Sequence, residues 1–282
     1  MARMRSLEIL PLLLIPILGL QAGCGRRVLF RAEAPGLGEV FVVRREDGVR
    51  ALRFGRADAE DQSLYDPSRP DHEPVGYVRS ALLALAYLGE PRGRLLMVGL
   101  GGGSYLRHVR RLAPRLVLEA VEISPLVVRV CRRYFACPRA VIHVGDGRRH
   151  IQRTRRRYDI VFVDAYDAED YPRHLGTRQF FEELRRVLTP TGIAVANLSP
   201  NSDADRADLL QTFLTVFPGA RCFSTESDNS VALGFAGSPP AEAHVRARVT
   251  ALDRRSAGRY RLGQALGSRC AVELSAARVL SD

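Results

Sequence analysis

The stretch Val98-Gly99-Leu100-Gly101-Gly102-Gly103-Ser104 lies where a short apolar run gives way to a helical pattern. Residues 95–98 are typical of a buried strand, and residues 104–112 have the spacing of a helix. Glycines at such a turn let the backbone approach a ligand closely and adopt torsion angles closed to other residues. Because tight turns also use glycine, the stretch alone is weak evidence for nucleotide-type binding.

Strands and helices continue to alternate after this Gly-rich loop. Further strands are predicted at 116–123, 140–144, 160–164, 193–197, 221–223 and 231–235, and helices at 125–135, 178–188 and 204–217. Such alternation is typical of a mainly parallel sheet that is covered by helices on both faces. We therefore predict an α/β protein with a Rossmann-like sheet that begins near Arg94.

Carboxylates follow the next two strands of this predicted sheet. Glu122 ends a strand about 20 residues beyond the loop, where Rossmann-type sites place an acid for ribose hydroxyls. Asp146, in Val144-Gly145-Asp146-Gly147, follows the third strand, where a carboxylate can accept from an adenine amino group. Either acid taken singly is compatible with an ordinary surface position. Since strand ends meet at one edge of the sheet, loop and acids together predict a nucleoside site.

The fourth strand ends in Val163-Asp164-Ala165-Tyr166-Asp167. A carboxylate at this edge can accept a proton from an amine or hold a cationic nucleophile, and two acids can do both. The alternative is that the pair only caps the next element. We interpret Asp164 and Asp167 as candidate catalytic residues. Tyr166 and residues 171–177 are predicted to shape the pocket of a second substrate, although His174 is equally compatible with a structural role.

Two flanking regions accompany the predicted nucleoside-binding domain at 76–238, which opens with a helix near 77–88. Residues 28–75 are predicted to form a small β-rich subdomain that contains a hairpin with strands at 39–43 and 49–54. This is too little chain for an independent core, so we expect it to pack against the larger domain. Residues 239–282 are expected to form a C-terminal helical tail, to which the sequence assigns no role.

The first 24 residues carry a separate signal. Arg3 and Arg5 precede an apolar run at 9–20, which is short for a bilayer span but fits the central region of a signal peptide. Cys24 follows two small residues, as at a bacterial lipoprotein cleavage site, although short apolar runs are also found in buried helices. We expect residues 1–24 to be a signal peptide or lipoprotein-type anchor and the protein to be membrane-associated, with a cytoplasmic location as the alternative.

Charge and cysteine content exclude some function classes. The formal net charge is +11, and all 42 basic residues are Arg, which we attribute to codon bias. The densest basic run, at 153–157, falls in a predicted loop without interleaved aromatic residues, so we expect no nucleic-acid partner. None of the five cysteines has CxxC spacing, so we expect no metal site. Cys131 and Cys137 are interpreted as core residues rather than a disulfide framework. Formation of a homo-oligomer is compatible with the sequence.

In this order, these motifs resemble the spermidine synthase (polyamine aminopropyltransferase) family. The likeness is greatest to its bacterial spermidine-synthase-like branch, within the class I S-adenosylmethionine-dependent methyltransferase fold. It spans roughly residues 62–197, and the small β-rich segment before the sheet is similar too. The matching motifs are residues 99–104, 121–123, 145–147, 163–166 and 172–180.

The resemblance implies a fold, a reaction and a set of roles. A family member moves an aminopropyl group from decarboxylated S-adenosylmethionine to a small-molecule amine such as putrescine and releases methylthioadenosine. By this likeness Glu122 holds the ribose, and Asp146 and Gly147 hold the adenine side. Asp164 is the candidate base and Asp167 helps to bind the amine. The other implied binding residues are Gln62, Tyr77, Gly99, Gly101 and Gly103.

Two departures from the family pattern keep other functions open. Spermidine synthases carry an Asp in the Gly-rich loop, where this chain has Gly102, and they follow the pocket Tyr with His or Gln, where this chain has Val78. A charged donor that loses two such contacts loses roughly 1.5 to 3 kcal/mol for each. The alternatives are methyl transfer from S-adenosylmethionine and a non-catalytic nucleoside-binding module.

Overall fold

The computed structural model describes residues 27–72, 76–166, 171–225, 229–270 and 274–282. Its first four strands are β1 (Arg27–Ala34), β2 (Gly38–Arg44), β3 (Arg50–Phe54) and β4 (Ser63–Tyr65). They pair in sequence order as one antiparallel sheet, which we call the N-terminal sheet. The predicted hairpin corresponds to β2 and β3, whereas β1 and β4 were not predicted.

Beyond the N-terminal sheet, helices and strands alternate as expected. In chain order they are α1 (Gly76–Leu88), β5 (Gly93–Val98), α2 (Ser104–Leu112), β6 (Leu116–Glu122), α3 (Pro125–Tyr134), β7 (Val141–Val144), α4 (Gly147–Arg153), β8 (Tyr158–Val163), α5 (Arg178–Arg186), β9 (Leu188–Leu198), α6 (Asp203–Val216), β10 (Arg221–Ser224), β11 (Ser230–Phe235), α7 (Glu242–Arg255) and α8 (Leu262–Gly267).

The larger sheet has the strand order β10-β11-β9-β8-β5-β6-β7. The five strands from β9 to β7 are parallel, while β11 is antiparallel to β9 and β10 is antiparallel to β11. The prediction of a mainly parallel, Rossmann-like sheet is therefore confirmed. Since the carboxyl ends of the parallel strands share one edge, their polar terminal residues are brought together there.

Side-chain caps explain where several helices begin. Ser124 accepts a hydrogen bond from the backbone N–H of Val127, and Pro125 occupies the first turn of α3, where its missing N–H costs nothing. Thr177 caps α5 and Ser202 caps α6 in the same way. These caps satisfy backbone N–H groups that have no partner inside the helix.

Helix α1 is apolar on nearly all sides and is accordingly buried on nearly all sides. It packs against the sheet on one side and against α7 and α8 on the other. The tail that was predicted to be helical therefore includes two helices that cover α1. Residues 274–282, by contrast, are not helical, so the helical expectation does not hold for this part of the tail.

The N-terminal sheet packs against the larger domain, as its small size led us to expect. Its buried side chains share one apolar cluster with α3 and the residue that follows it. The cluster includes Val40, Val42, Leu52, Leu126, Val127, Val130 and Phe135. The sheet is therefore fixed against α3.

Residues 274–282 form an extended segment, the C-terminal strap, that ties helices together. Asp208 on α6 accepts hydrogen bonds from the Arg278 backbone N–H (2.7 Å) and guanidinium (2.9 Å). Asp282 accepts two from Arg148 on α4, at 2.7 and 2.6 Å, and one from Thr177 at 2.8 Å. Because of the Arg148 and Thr177 donors, the pKa of Asp282 is lowered to about 2.

Replacing Asp282 by Asn is expected to lower the free energy of unfolding by about 1 kcal/mol at neutral pH, a value discounted because the side chain is 44% exposed. The folded pKa lies below the ordinary 3.8, so this stabilisation is complete above the unfolded value and is lost as pH falls through about 2. Urea unfolding across pH 7 to 3 should show the wild-type advantage shrinking below about pH 4. Asp203→Asn, at a highly exposed carboxylate, is the control; an advantage that does not change with pH would contradict the assignment.

A disulfide between Cys222 and Cys270 joins β10 to the segment after α8. Backbone hydrogen bonds flank it, from Cys270 to Cys222 (3.1 Å) and from Ser224 to Ser268 (2.9 Å). This pairing was not predicted, because cysteine spacing alone does not determine which cysteines meet.

Because the disulfide closes a separation of 48 residues, the Cys222→Ser/Cys270→Ser double variant is expected to lose about 3 kcal/mol of stability. For a chain of this size, the melting temperature should fall by roughly 6–12 °C. Calorimetry measures the shift. A reductant should lower the wild-type melting temperature by a similar amount and leave the double variant unchanged; an unchanged melting temperature in both proteins would rule out a stabilising bond.

All four arginines of the basic run at 153–157 are exposed; Arg153 ends α4, and residues 154–157 form the expected loop. Within the described ranges, no helix combines the length and apolar character needed to cross a membrane. Residues 1–24, where the anchor was predicted, lie outside the described residues.

Candidate active site

The Gly-rich loop runs from β5 to α2 at the carboxyl edge of the sheet. Gly99 has φ +86°, and a Cβ atom there would collide with the backbone carbonyl of Asp164. Gly103 has φ +67°, and its Cβ would lie 3.0 Å from the sulfur of Cys131. Both positions therefore require glycine for conformation and for space. The crowding at Gly99 also shows that the loop and Asp164 are direct neighbours.

Glu122, at the end of β6, is buried beneath this loop and only 6% exposed. Its Oε2 accepts the N–H of Leu100 at 2.9 Å, and its Oε1 accepts the N–H of Ser124 at 3.0 Å. Burial raises the pKa of Glu122, while the N–H donors of Ser124 and Leu100 act in the opposite direction. Glu122 therefore holds the loop in place, a role that the sequence had not indicated.

Gly102 is closely packed by two parts of the chain. Its N–H donates to Ser63 Oγ on β4 at 2.9 Å. A Cβ atom on Gly102 would lie 2.8 Å from the Ser63 Cβ and 2.9 Å from the Phe135 ring. The space that an Asp side chain would need is therefore filled by the N-terminal sheet and by the end of α3, which explains the departure from the family motif. The contact with Ser63 was missed in the sequence.

Asp146 caps α4 and contacts a histidine that the sequence left unassigned. Its Oδ1 accepts the N–H of Arg149 at 2.8 Å, and its Oδ2 lies 3.0 Å from Nε2 of His174. Burial acts to raise the pKa of Asp146, but the hydrogen bonds from Arg149 and His174 outweigh it, and the pKa is lowered. Gly147 follows at the first position of α4, where a Cβ would collide with Val98.

Asp164 follows β8 and is held by two side chains from other elements. Its Oδ2 accepts the hydroxyl of Tyr77 on α1 at 2.9 Å, and its Oδ1 accepts Nδ2 of Asn197 on β9 at 3.0 Å. Asn197 in turn accepts from Asn229 Nδ2 at 3.3 Å. Both carboxylate oxygens are thus oriented. The sequence predicted Tyr77, but it missed Asn197, although a polar residue near a strand end is the signal that singled out the acids.

Two tyrosines pack beside Asp164. The Tyr166 hydroxyl donates to the Asn197 carbonyl at 2.8 Å and accepts the Ser199 N–H at 2.7 Å. Its ring meets that of Tyr171 edge to face, with centroids 5.5 Å apart. Burial and the neighbouring charge of Asp164 raise the pKa of Tyr171, so its hydroxyl stays protonated. The pair forms an aromatic wall next to the carboxylate.

The remaining predicted site residues are Gln62, Gly101 and Asp167. Gln62 is exposed directly before β4, where its backbone N–H donates to Leu52. Gly101 lies in the loop, and a Cβ there would be 2.8 Å from Ser63 Oγ. Asp167 lies outside the described residues. Within the described residues no group of three or more His, Cys, Asp or Glu side chains is arranged to hold a metal ion.

The sequence is similar to those of known proteins. Residues 80–205 match the family model of the spermine/spermidine synthase domain. The polyamine aminopropyltransferase of Vibrio vulnificus is 31% identical over 223 residues, which cover 75% of this chain and 69% of the relative. That of Chromobacterium violaceum is 30% identical over 181 residues, 63% of this chain and 68% of the relative.

Solved structures show the same fold. The chain superposes on a probable spermidine synthase from Corynebacterium glutamicum with a TM-score of 0.69, at 18% identity, covering 95% of this chain and 97% of the other. The superposition shows the fold, and the sequence relatives show that this chain belongs to the polyamine aminopropyltransferase (spermidine synthase) family. The resemblance inferred from its motifs is therefore confirmed.

Proposed function

We propose that the protein transfers an aminopropyl group from decarboxylated S-adenosylmethionine to a polyamine-type amine. The observation that carries the proposal is Asp164, a carboxylate oriented by Tyr77 and Asn197 directly beside a Gly-rich loop. The names of the sequence relatives support the same reaction. The donor is a co-substrate, and the proposed chemistry requires no metal.

The donor side rests on the loop, Glu122 and Asp146. Each oxygen of Glu122 accepts one backbone N–H and has lone-pair capacity left for a ribose hydroxyl. Asp146 stands at the neighbouring strand end, where we assign it to the adenine amino group. In that role adenine would share or replace the contact that Asp146 makes with His174.

The transfer itself forms one bond and breaks one. The nitrogen of the acceptor amine bonds to the aminopropyl carbon, whose bond to the sulfonium sulfur breaks, and the electron pair stays on sulfur as methylthioadenosine. The nitrogen loses a proton, and Asp164 is the assigned acceptor. Because the sulfonium is already a good leaving group, the protein contributes mainly by orienting an uncharged amine in line with it.

The test is an assay of purified protein with decarboxylated S-adenosylmethionine and a panel of diamines. Formation of methylthioadenosine together with an aminopropylated amine is expected. Asp164→Asn is the matched control for background hydrolysis of the donor. If methylthioadenosine forms with none of the amines, aminopropyl transfer is not the function.

Methyl transfer from S-adenosylmethionine is the second candidate function. It is favoured by Gly102, because Ser63 and Phe135 fill the space of the Asp that would suit the decarboxylated donor. Calorimetric titration with both donors discriminates between the candidates. Tighter binding of the carboxylated donor, together with a methylated product, would favour methyl transfer. Binding without product from either donor would favour a binding module.

We also propose that residues 1–24 direct the chain to a membrane as a lipoprotein-type signal. The Cys222–Cys270 disulfide supports export, since disulfides persist in oxidising compartments. An exported enzyme would be separated from donors made in the cytoplasm, so an uncut anchor with the domain facing the cytoplasm is the competing arrangement. Mass spectrometry of the native N-terminus, with fractionation, tests this. Lipid-modified Cys24 is expected; an unmodified N-terminus on wholly soluble protein would refute both arrangements.

A further inference from the structure

Two cysteines outside the proposed chemistry lie directly beneath the Gly-rich loop. Cys131 is in the last turn of α3 and fully buried, and Cys137 is partly exposed just after the helix. Ala136 between them has φ +48°, so the chain turns back there, and Cys137 packs against the apolar cluster that contains Cys131. The Cys131 sulfur packs against Gly103, where a Cβ would lie 3.0 Å away.

The segment between these cysteines is coupled to the loop. Arg107 donates to the Phe135 carbonyl at 2.8 Å and to the Gly102 carbonyl at 3.3 Å. The fully buried Phe135 ring also touches Gly102, where a Cβ would lie 2.9 Å from the ring. A change in the path from Cys131 to Cys137 therefore moves groups that contact the loop directly.

The chemistry of the pair suits thiol–disulfide exchange. The hydrogen bond from Cys131 lowers the pKa of Cys137, and the charges of Arg132 and Arg107 act in the same direction against the effect of burial. The partly exposed thiol is thus the one that forms the thiolate more readily, and the thiolate is the attacking species. The hydrogen bond to Cys137 and burial raise the pKa of Cys131, and the first of these effects ends once Cys137 is in a mixed disulfide.

We propose that Cys131 and Cys137 are a redox-active dithiol that closes to a disulfide by exchange with an external low-molecular-weight disulfide, and that closure loosens the Gly-rich loop. The Cys137 thiolate attacks the external disulfide and releases one thiol. Cys131 gives up its proton and attacks the Cys137 sulfur, which releases the second thiol. Two electrons and two protons thus pass from the cysteine pair to the external disulfide. The effect on nucleoside affinity rests on the proposed function.

The experiment compares the full chain with Cys137→Ser, which cannot close the bond. Both proteins are equilibrated in glutathione buffers of increasing oxidised fraction. Alkylation and mass spectrometry count the free thiols at 131 and 137 and monitor the bond between Cys222 and Cys270 separately. Hydrogen exchange of the peptide covering residues 99–112 reports on the loop, and calorimetry with methylthioadenosine reports on binding.

In wild type we expect reversible closure, at least tenfold faster exchange in the 99–112 peptide and at least tenfold weaker nucleoside binding. The Cys137→Ser variant should show none of these changes. Thiols that stay free across the series, or closure without a change in loop exchange, would overturn the inference. If disulfide closure speeds hydrogen exchange in the loop but the reduced protein binds no nucleoside, the redox inference is confirmed and the proposed function is refuted.

Discussion

Replacing Asp164 by Asn is expected to lower kcat for aminopropyl transfer by a factor of about 10² to 10⁴, the usual contribution of a positioned general base. Asn keeps the shape of the side chain but cannot take the proton that the amine must lose. Donor affinity should change much less, because the loop and Glu122 remain. The measurements are steady-state rates of methylthioadenosine release and calorimetric titration of the donor.

Tyr77→Phe is the matched control for this variant. It removes the hydroxyl that orients Asp164 Oδ2 and leaves the carboxylate and its bond from Asn197 in place. Its loss of kcat should be clearly smaller than that of Asp164→Asn. Equal losses would mean that the two groups act as one unit, and a fully active Asp164→Asn enzyme would remove Asp164 from the mechanism.

Glu122→Ala is expected to have two effects, because the carboxylate serves both the ligand and the loop. Nucleoside affinity should fall by a factor of about 30 to 900, which corresponds to roughly 2 to 4 kcal/mol if both ribose hydrogen bonds are lost. Stability should also fall by about 1 to 3 kcal/mol, since the buried N–H groups of Leu100 and Ser124 lose their acceptor. From the sequence alone, only the affinity loss would be expected.

Measuring both quantities separates these contributions. Thermal unfolding gives the stability loss, and titration at a temperature where the variant is fully folded gives the affinity. Asp146→Ala provides a comparison at the adenine side, where the carboxylate is a helix cap and lies nearer the surface. If folded Glu122→Ala binds nucleoside as well as wild type, the ribose assignment is incorrect.

The sequence was most informative where local pattern and topology agree. The Gly-rich loop, the strands beside it and the acids at their ends could be placed because strand ends of a parallel sheet converge by geometry. Glu122 and Asp164 were therefore found without any contact being known. Their hydrogen bonds with Leu100 and Tyr77 became known only from the structure.

What the sequence missed depends on contacts between distant segments. Ser63 is an ordinary polar residue until β4 brings it against Gly102, and nothing in its local pattern marks it. His174 faces Asp146 only after the chain returns just before α5. The pairing of Cys222 with Cys270 likewise requires the tail to lie along β10. Short strands such as β4 have too few residues to show a period.

The contact between Ser63 and Gly102 has a consequence for the N-terminal sheet as a whole. The N–H of Gly102 donates to Ser63 in the N-terminal sheet, so the conformation of the Gly-rich loop and the docking of that sheet depend on each other. If docking of the N-terminal sheet against the loop raises ligand affinity by a given factor, thermodynamic reciprocity requires that the bound ligand favour docking by the same factor. Nucleoside binding and the docking of the four antiparallel strands are therefore coupled through the contact between Ser63 and Gly102.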